Sequence, residues 1–171
     1  MTLSFSQKFR DGTPNHFIEK IWASLPADKL IRSDIYIPSP GRYYPKIHTL
    51  RAPRLWYMGQ KIHFVVNNRQ PNRYQFAETY YAHYVRDVEI VYDGADQQYL
   101  GIFISNLDVT KTRRFLHGEE ELLQFARNDG FDSIEQFKAW FNKPQKLRMI
   151  GWTPYPYGPY YTPPLEPIPI N

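Results

Sequence analysis

Apolar and polar residues alternate over a series of short runs, and proline, glycine or an asparagine-rich turn closes nearly every one. Leu3, Phe5 and Phe9 share one side of a period-two pattern that Asp11-Gly12 ends, and residues 47–51, 60–66, 73–76, 84–92, 99–104 and 146–152 read the same way. Alternation with period two places every second side chain on one face, which is the pattern of a half-buried strand. A chain so punctuated cannot be a helical bundle. It must instead assemble many short strands into sheet.

Helical spacing is confined to three stretches. Thr13-Pro14 offers an N-cap and first helical position, after which Phe17, Ile18, Ile21, Trp22 and Leu25 recur on one face up to Pro26. Residues 119–128 carry three glutamates in their first turn, where the helix dipole favours acids, and Gly130 stands where a C-terminal cap belongs. Asp132-Ser133-Ile134-Glu135 reads as a capping box ahead of Phe137, Trp140 and Phe141. These elements predict an α+β domain over residues 1–152, and 171 residues suit one domain. The remaining stretch, 153–171, holds 7 of the 15 prolines and 4 of the 14 tyrosines, so it should be extended. It wraps over the domain through its tyrosines, stays disordered, or docks on another chain.

Several chemistries are excluded at once. There is no cysteine, so disulfides, thiol nucleophiles and thiolate zinc sites drop out. The five histidines show no metal-binding spacing, and the nine glycines form no phosphate-cradling loop, so no metal and no cofactor is expected. No apolar run is long enough to span a bilayer, and the first residues do not read as a secretion signal; the expectation is a soluble cytoplasmic protein without membrane contact. The net charge of +4 conceals an asymmetry: residues 1–86 hold 13 Lys and Arg against 5 Asp and Glu, whereas residues 87–137 hold 4 against 11. Either the two regions face each other in the fold, or the basic half meets a polyanion.

Two sets of residues carry candidate chemistry. Lys46-Ile47-His48-Thr49-Leu50-Arg51 leaves a Pro/Gly-rich loop and enters a strand, where Thr49 and Arg51 share one face and Lys46 sits at the lip. The second set pairs guanidinium groups with aromatics: Arg42 with Tyr43 and Tyr44, Arg54 with Trp56, and Arg69 and Arg73 with Tyr74. Such pairing lets a protein hold phosphates while stacking on bases.

The Lys46-x-x-Thr49-x-Arg51 element, followed by Trp56 and the Gly59 strand, then residues 85–90, then Asp129-Gly130-Phe131-Asp132-Ser133 before Phe137 and Trp140, resembles the ASCH family in residue type and order over residues 3–152. The resemblance implies a PUA-like fold, a small mixed β-barrel with flanking short helices, and a cleft facing RNA or a modified nucleoside. Arg51 would then be an anion-binding or structural partner in that cleft, and the guanidinium–aromatic pairs of the basic half add Arg54, Trp56, Arg69, Arg73 and Tyr74 as ligand-binding candidates. Some members are amidohydrolases that remove the acyl group from acetylated cytidine with a Lys, a Thr and an acid. Those roles fall on Lys46, Thr49 and Asp129, the last standing where the hydrolases carry the longer Glu. A purely structural or assembly role, with residues 153–171 docking a protein partner, is the third expectation.

Overall fold

The computed structural model describes residues 1–30, 42–94, 99–105 and 113–157. Strands dominate, as the alternation requires. In chain order they are β1 (Thr2–Phe5), β2 (His48–Arg51), β3 (Lys61–Val66), β4 (Tyr74–Gln75), β5 (Tyr80–Tyr81), β6 (Tyr84–Asp93), β7 (Tyr99–Ser105), β8 (Arg113–Leu116) and β9 (Gln145–Gly151). The helices are α1 (Phe17–Trp22), α2 (Glu119–Asn128) and α3 (Ile134–Trp140).

The strands form two sheets. One joins β1, β3, β4 and β5, with β1 parallel to β3; the other runs β2-β9-β6-β7-β8 and is antiparallel throughout. The architecture is therefore mixed α+β, and among the described residues no closed barrel is found. No helix among them is long and apolar enough to cross a membrane. The core between the sheets is aromatic: Phe5, Phe64 and Phe76 meet one another and, through Phe5 and Phe64, the ring of Trp152. A second group, Phe9, Phe17, Phe131, Phe137 and Trp140, packs α1 against the α2–α3 turn. Each such ring, fully buried, contributes roughly 1.5–3 kcal/mol of transfer free energy.

Two helix starts differ from expectation. Thr13 does not cap α1: its amide and hydroxyl both donate to Asp11 Oδ1, and its carbonyl accepts from Phe9 N–H, which closes a tight loop and places Pro14 in a bridge to Lys8. Helix α1 consequently begins at Phe17, whose amide is taken by Asn15 Oδ1. In α3 the cap is Ser133, which accepts from Gln136 N–H, while Gln136 Oε1 reaches back to the amide of Asp132. That capping box is shifted one residue from the sequence reading, and it leaves the Asp132 carboxylate for another partner.

The end of α2 follows the expectation closely. Gly130 has φ of +93°, its amide donates to Arg127 O and that of Phe131 to Ala126 O, the paired bonds of a Schellman cap. The start of the terminal segment is also fixed, since Tyr155 packs on Tyr84 and Tyr157 is buried against His48 and Phe125. The rest of it, residues 158–171, lies outside the described residues, as does the connection 31–41.

One row of the larger sheet depends on a missing side chain. His48, Gly151 and Tyr84 are neighbours across β2, β9 and β6. The Tyr84 ring lies over Gly151 so closely that a Cβ there would stand 1.9 Å from the ring. Gly151→Ala should therefore destabilise the fold by at least the ~1–3 kcal/mol typical of core overpacking, read as a lowered urea midpoint with unchanged slope. An unchanged midpoint would refute the packing described.

Candidate functional site

The peptide after the Pro/Gly-rich loop enters the sheet at β2, and the alternation of that strand sorts its side chains. Thr49 and Arg51 face a cavity of about 50 Å³ that Ser4 and Phe5 of β1 border on its far side. His48 and Leu50 take the opposite face. The backbone just before the strand is held from two directions, Lys46 N–H donating to Lys20 O and Ile47 N–H to Asn128 O, both at 2.9 Å. Lys46 is thereby aimed at the end of α2.

The Lys46 ammonium lies 2.6 Å from Asp129 Oδ1 and also donates to the Asp129 carbonyl. Both side chains are buried, at 2% and 3% exposure. The rings of Phe17 and Phe5 lie 4.7 and 5.9 Å from the ammonium. In so dry a place burial disfavours either charge. It lowers the Lys46 pKa from 10.5 to about 8 despite the pull of Asp129, and raises that of Asp129 despite Lys46, Arg51 and the Leu50 amide. Both shifts run towards a neutral amine beside a neutral acid, so desolvation outweighs attraction for the two partners alike.

Arg51 completes the cluster. Its Nη2 donates to Ser4 O at 2.7 Å, and its guanidinium lies 5.0 Å from the Phe5 ring. Burial lowers its pKa, against the pull of Asp129. Its Nε is buried without a hydrogen-bond partner among the described residues. The cavity thus brings together an amine of lowered basicity, a hydroxyl, a carboxyl and an unsatisfied donor. By volume it admits a few water molecules or a group of about three heavy atoms.

The sequence-derived candidates divide cleanly. Lys46, Thr49, Arg51 and Asp129 converge on this cavity. Arg54, Trp56, Arg69, Arg73 and Tyr74 do not line it: Arg54 is an exposed loop residue after β2, and Arg69 and Arg73 are exposed around the β3–β4 turn. Trp56, at 6% exposure, belongs to the core, so its faces are spent on packing; Tyr74 is half-buried in β4. Asp129 is long enough for its partner, because the Schellman cap brings the end of α2 directly to the lip of β2. Among the described residues no group of three or more His, Asp or Glu could hold a metal.

Two features escaped the sequence reading. Lys20 is buried on α1, where its Nζ donates to Gly130 O at 2.8 Å and pairs with Asp132 at 2.7 Å. Its signal was its spacing, three residues after Phe17 and one before Ile21, a cation on an apolar face. Behind β2, a hydrogen-bond chain runs from Gln124 to Asn128 to the Tyr157 hydroxyl, with His48 Nδ1 3.4 Å beyond. No local pattern marks it.

No family model matches the chain, and no curated protein or solved structure matches it either.

Removing one partner of the buried pair isolates the other. Asp129→Ala should cost about 3–5 kcal/mol at neutral pH, since a buried ammonium loses its counter-charge. The pH dependence has a definite sign. With Lys46 near 8 folded and 10.5 unfolded, the unfolded chain binds more protons between those values, so this group's contribution to stability rises with pH across that window. Without its counter-charge the amine of the Asp129→Ala variant discharges at lower pH than the wild-type one, so the deficit should shrink as pH rises towards about 8 and level off above it. Urea titrations from pH 7 to 10 check this, and a pH-independent deficit would contradict it.

Proposed function

We propose that the chain is a PUA-like, RNA- or nucleoside-binding domain whose Lys46 pocket hydrolyses the acyl amide of an acylated cytidine. The single observation that carries the proposal is the convergence of Lys46, Thr49 and Asp129 on one small cavity. A solvated lysine is almost wholly protonated at neutral pH and cannot take a proton. One held near 8 is neutral in roughly one molecule in ten at pH 7, and so can act as a base.

In this mechanism the neutral Lys46 amine accepts the Thr49 hydroxyl proton as the hydroxyl oxygen attacks the acyl carbon. The carbonyl electrons move onto oxygen, to which the Arg51 Nε–H, buried without a hydrogen-bond partner among the described residues, would donate. The C–N bond then breaks, and the Lys46 ammonium returns its proton to the departing cytosine amine. Water, deprotonated by the same amine, then attacks the threonyl ester; its acyl C–O bond breaks, the Lys46 ammonium returns the proton to the Thr49 oxygen, and a carboxylic acid is released. Asp129 does not touch the acyl group; it positions the Lys46 amine. The small cavity suits a short acyl chain while the nucleoside remains outside.

Product release from acetylated cytidine, followed by chromatography, tests the reading. Thr49→Ala and Lys46→Ala should each lower kcat/KM by about 100-fold or more, and kcat/KM should climb with pH to a plateau with a midpoint near 8. Absence of turnover in the wild-type protein would overturn the hydrolytic reading.

A second reading, recognition of RNA without turnover, is favoured by the exposed guanidinium groups of Arg54, Arg69 and Arg73 in the basic half of the chain. It predicts an affinity that falls steeply with salt, and a shallower salt dependence in the Arg69→Ala/Arg73→Ala variant, with a slope reduced by about one to two. A flat salt response in the wild-type protein would remove it.

A further inference from the structure

The three ionisable groups of the Lys46 cavity do not balance. Lys46 pairs with Asp129 at 2.6 Å, and the neighbouring Lys20 of α1 with Asp132 at 2.7 Å. Arg51 has no ion pair among the described residues: its Nη2 donates to the Ser4 carbonyl of β1, and its Nε is buried without a hydrogen-bond partner. Apart from Lys46, Arg51 and Asp129 the lining is uncharged, from β1, α1 and α3 alike. A buried donor left unmet and a buried charge left unpaired are both costly, and one small anion beside Arg51 would answer both.

The cavity has room for such an ion only if it is very small, since about 50 Å³ admits about three heavy atoms. Carbon dioxide is of that size, and an amine converts it into an anion in place. It adds to a neutral amine and not to an ammonium, because the new bond needs the nitrogen lone pair; a solvated lysine, with a pKa of about 10.4, is therefore a poor acceptor at neutral pH. Lys46 is a better one. Burial outweighs the pull of Asp129 and brings it to about 8, and the positive charges of Arg51 and Lys20 act in the same direction.

We propose that Lys46 is a modification site for carbon dioxide, which its amine takes up reversibly as a carbamate lying in the cavity between the Thr49 hydroxyl and the Arg51 Nε–H. The nitrogen lone pair forms the N–C bond, one C–O π pair moves on to oxygen, and one N–H proton leaves to solvent. Nothing is oxidised or reduced, and release of carbon dioxide reverses each step. With Asp129 in its neutral form, which burial already favours, carbamate and guanidinium cancel each other's charge. The N–H that remains donates to the Asp129 carbonyl, as the ammonium does. A carbamate nitrogen has no basic lone pair, so the modification would also switch off the hydrolysis proposed above, and that consequence alone rests on the proposed function.

Protein labelled with 15N in lysine alone, held under a fixed pressure of 13C-labelled carbon dioxide, reports the bond directly by NMR. One carbamate carbon signal should appear, split by coupling to the lysine nitrogen, and it should grow between about pH 6 and pH 8, where solvated lysines stay protonated. It should vanish in Lys46→Met, and Arg51→Gln should raise the dissociation constant for carbon dioxide about tenfold. Circular dichroism checks that the variants fold; where either does not, Thr49→Val, which removes a single hydroxyl, should raise that constant severalfold. No split signal in the wild-type protein, a signal that survives in folded Lys46→Met, or one unmoved by both Arg51→Gln and Thr49→Val would overturn the proposal. The signal is read without turnover, so a protein that hydrolyses nothing still tests it. Hydrolysis undiminished in the carbamylated protein would instead overturn the role of Lys46 as base.

Discussion

Two lysine amines, from α1 and from the segment entering β2, are driven into one turn between α2 and α3, and that turn joins the helical layer to the sheet edge. Lys46 binds the carboxylate and carbonyl of Asp129, and Lys20 binds the carbonyl of Gly130 and the carboxylate of Asp132. A buried ion pair is a poor source of net stability, because desolvation offsets most of the attraction. Its effect here is on geometry. Any arrangement that displaces α1, β2 or the turn strands a buried amine or carboxylate, which costs several kcal/mol, so alternatives are penalised more than the native state is favoured. Gly130 is part of the same constraint: its left-handed backbone makes the cap, and a Cβ on it would stand 2.9 Å from both Lys46 Cδ and the Phe17 ring.

Strand β2 divides two polar environments that share this anchor. On one side Thr49 and Arg51 meet the small cavity; on the other His48 faces Tyr157 and the amide chain from Gln124 and Asn128. Asn128 and Asp129 are adjacent, so the last residues of α2 serve both sides, Asn128 holding the tyrosine of the terminal segment and Asp129 holding Lys46. The buried Tyr157 hydroxyl thus fixes the helix end from behind while Lys46 fixes it in front. This supports a carboxyl that must be positioned to within a fraction of an ångström if it orients a catalytic amine.

Much of the strand layout was legible because its signal is local. Residues 60–66, 84–92 and 99–104 alternate cleanly, and β3, β6 and β7 occupy them to within a residue or so. The Lys46, Thr49 and Arg51 grouping was legible for the same reason, since strand period alone sets which side chains share a face. What failed was non-local or competitive. Thr13 is a good cap by type, but Asp11 captured its amide and hydroxyl first. Trp56 beside Arg54 looks like a stacking platform until a core claims the ring. Strand β8, Arg113–Leu116, has no alternation of its own and exists because β7 offers an edge to pair with. Lys20 was readable in principle, but only if a cation on an apolar helix face is treated as a question rather than as noise.

The charge asymmetry along the chain has a structural explanation that narrows its functional meaning. Lys20 and Lys46 of the basic half pair with Asp132 and Asp129 of the acidic segment, whereas Asp87 and Glu89 find their partners outside the basic half, in Arg113, Lys146 and Arg148. The two regions do face each other, and part of the asymmetry is consumed inside the fold. The basic half also exposes Lys8, Arg10 and Lys61, together with Arg54 after β2 and Arg69 and Arg73 around the β3–β4 turn. None of these lines the Lys46 cavity, whose cation is already paired and dry. On the proposed function, the cavity's selectivity would come from hydrogen bonding and size, and any attraction for nucleic acid from the loops. The two functions would then be separable by mutation, because loop arginines and pocket residues share no contact through which one could substitute for the other.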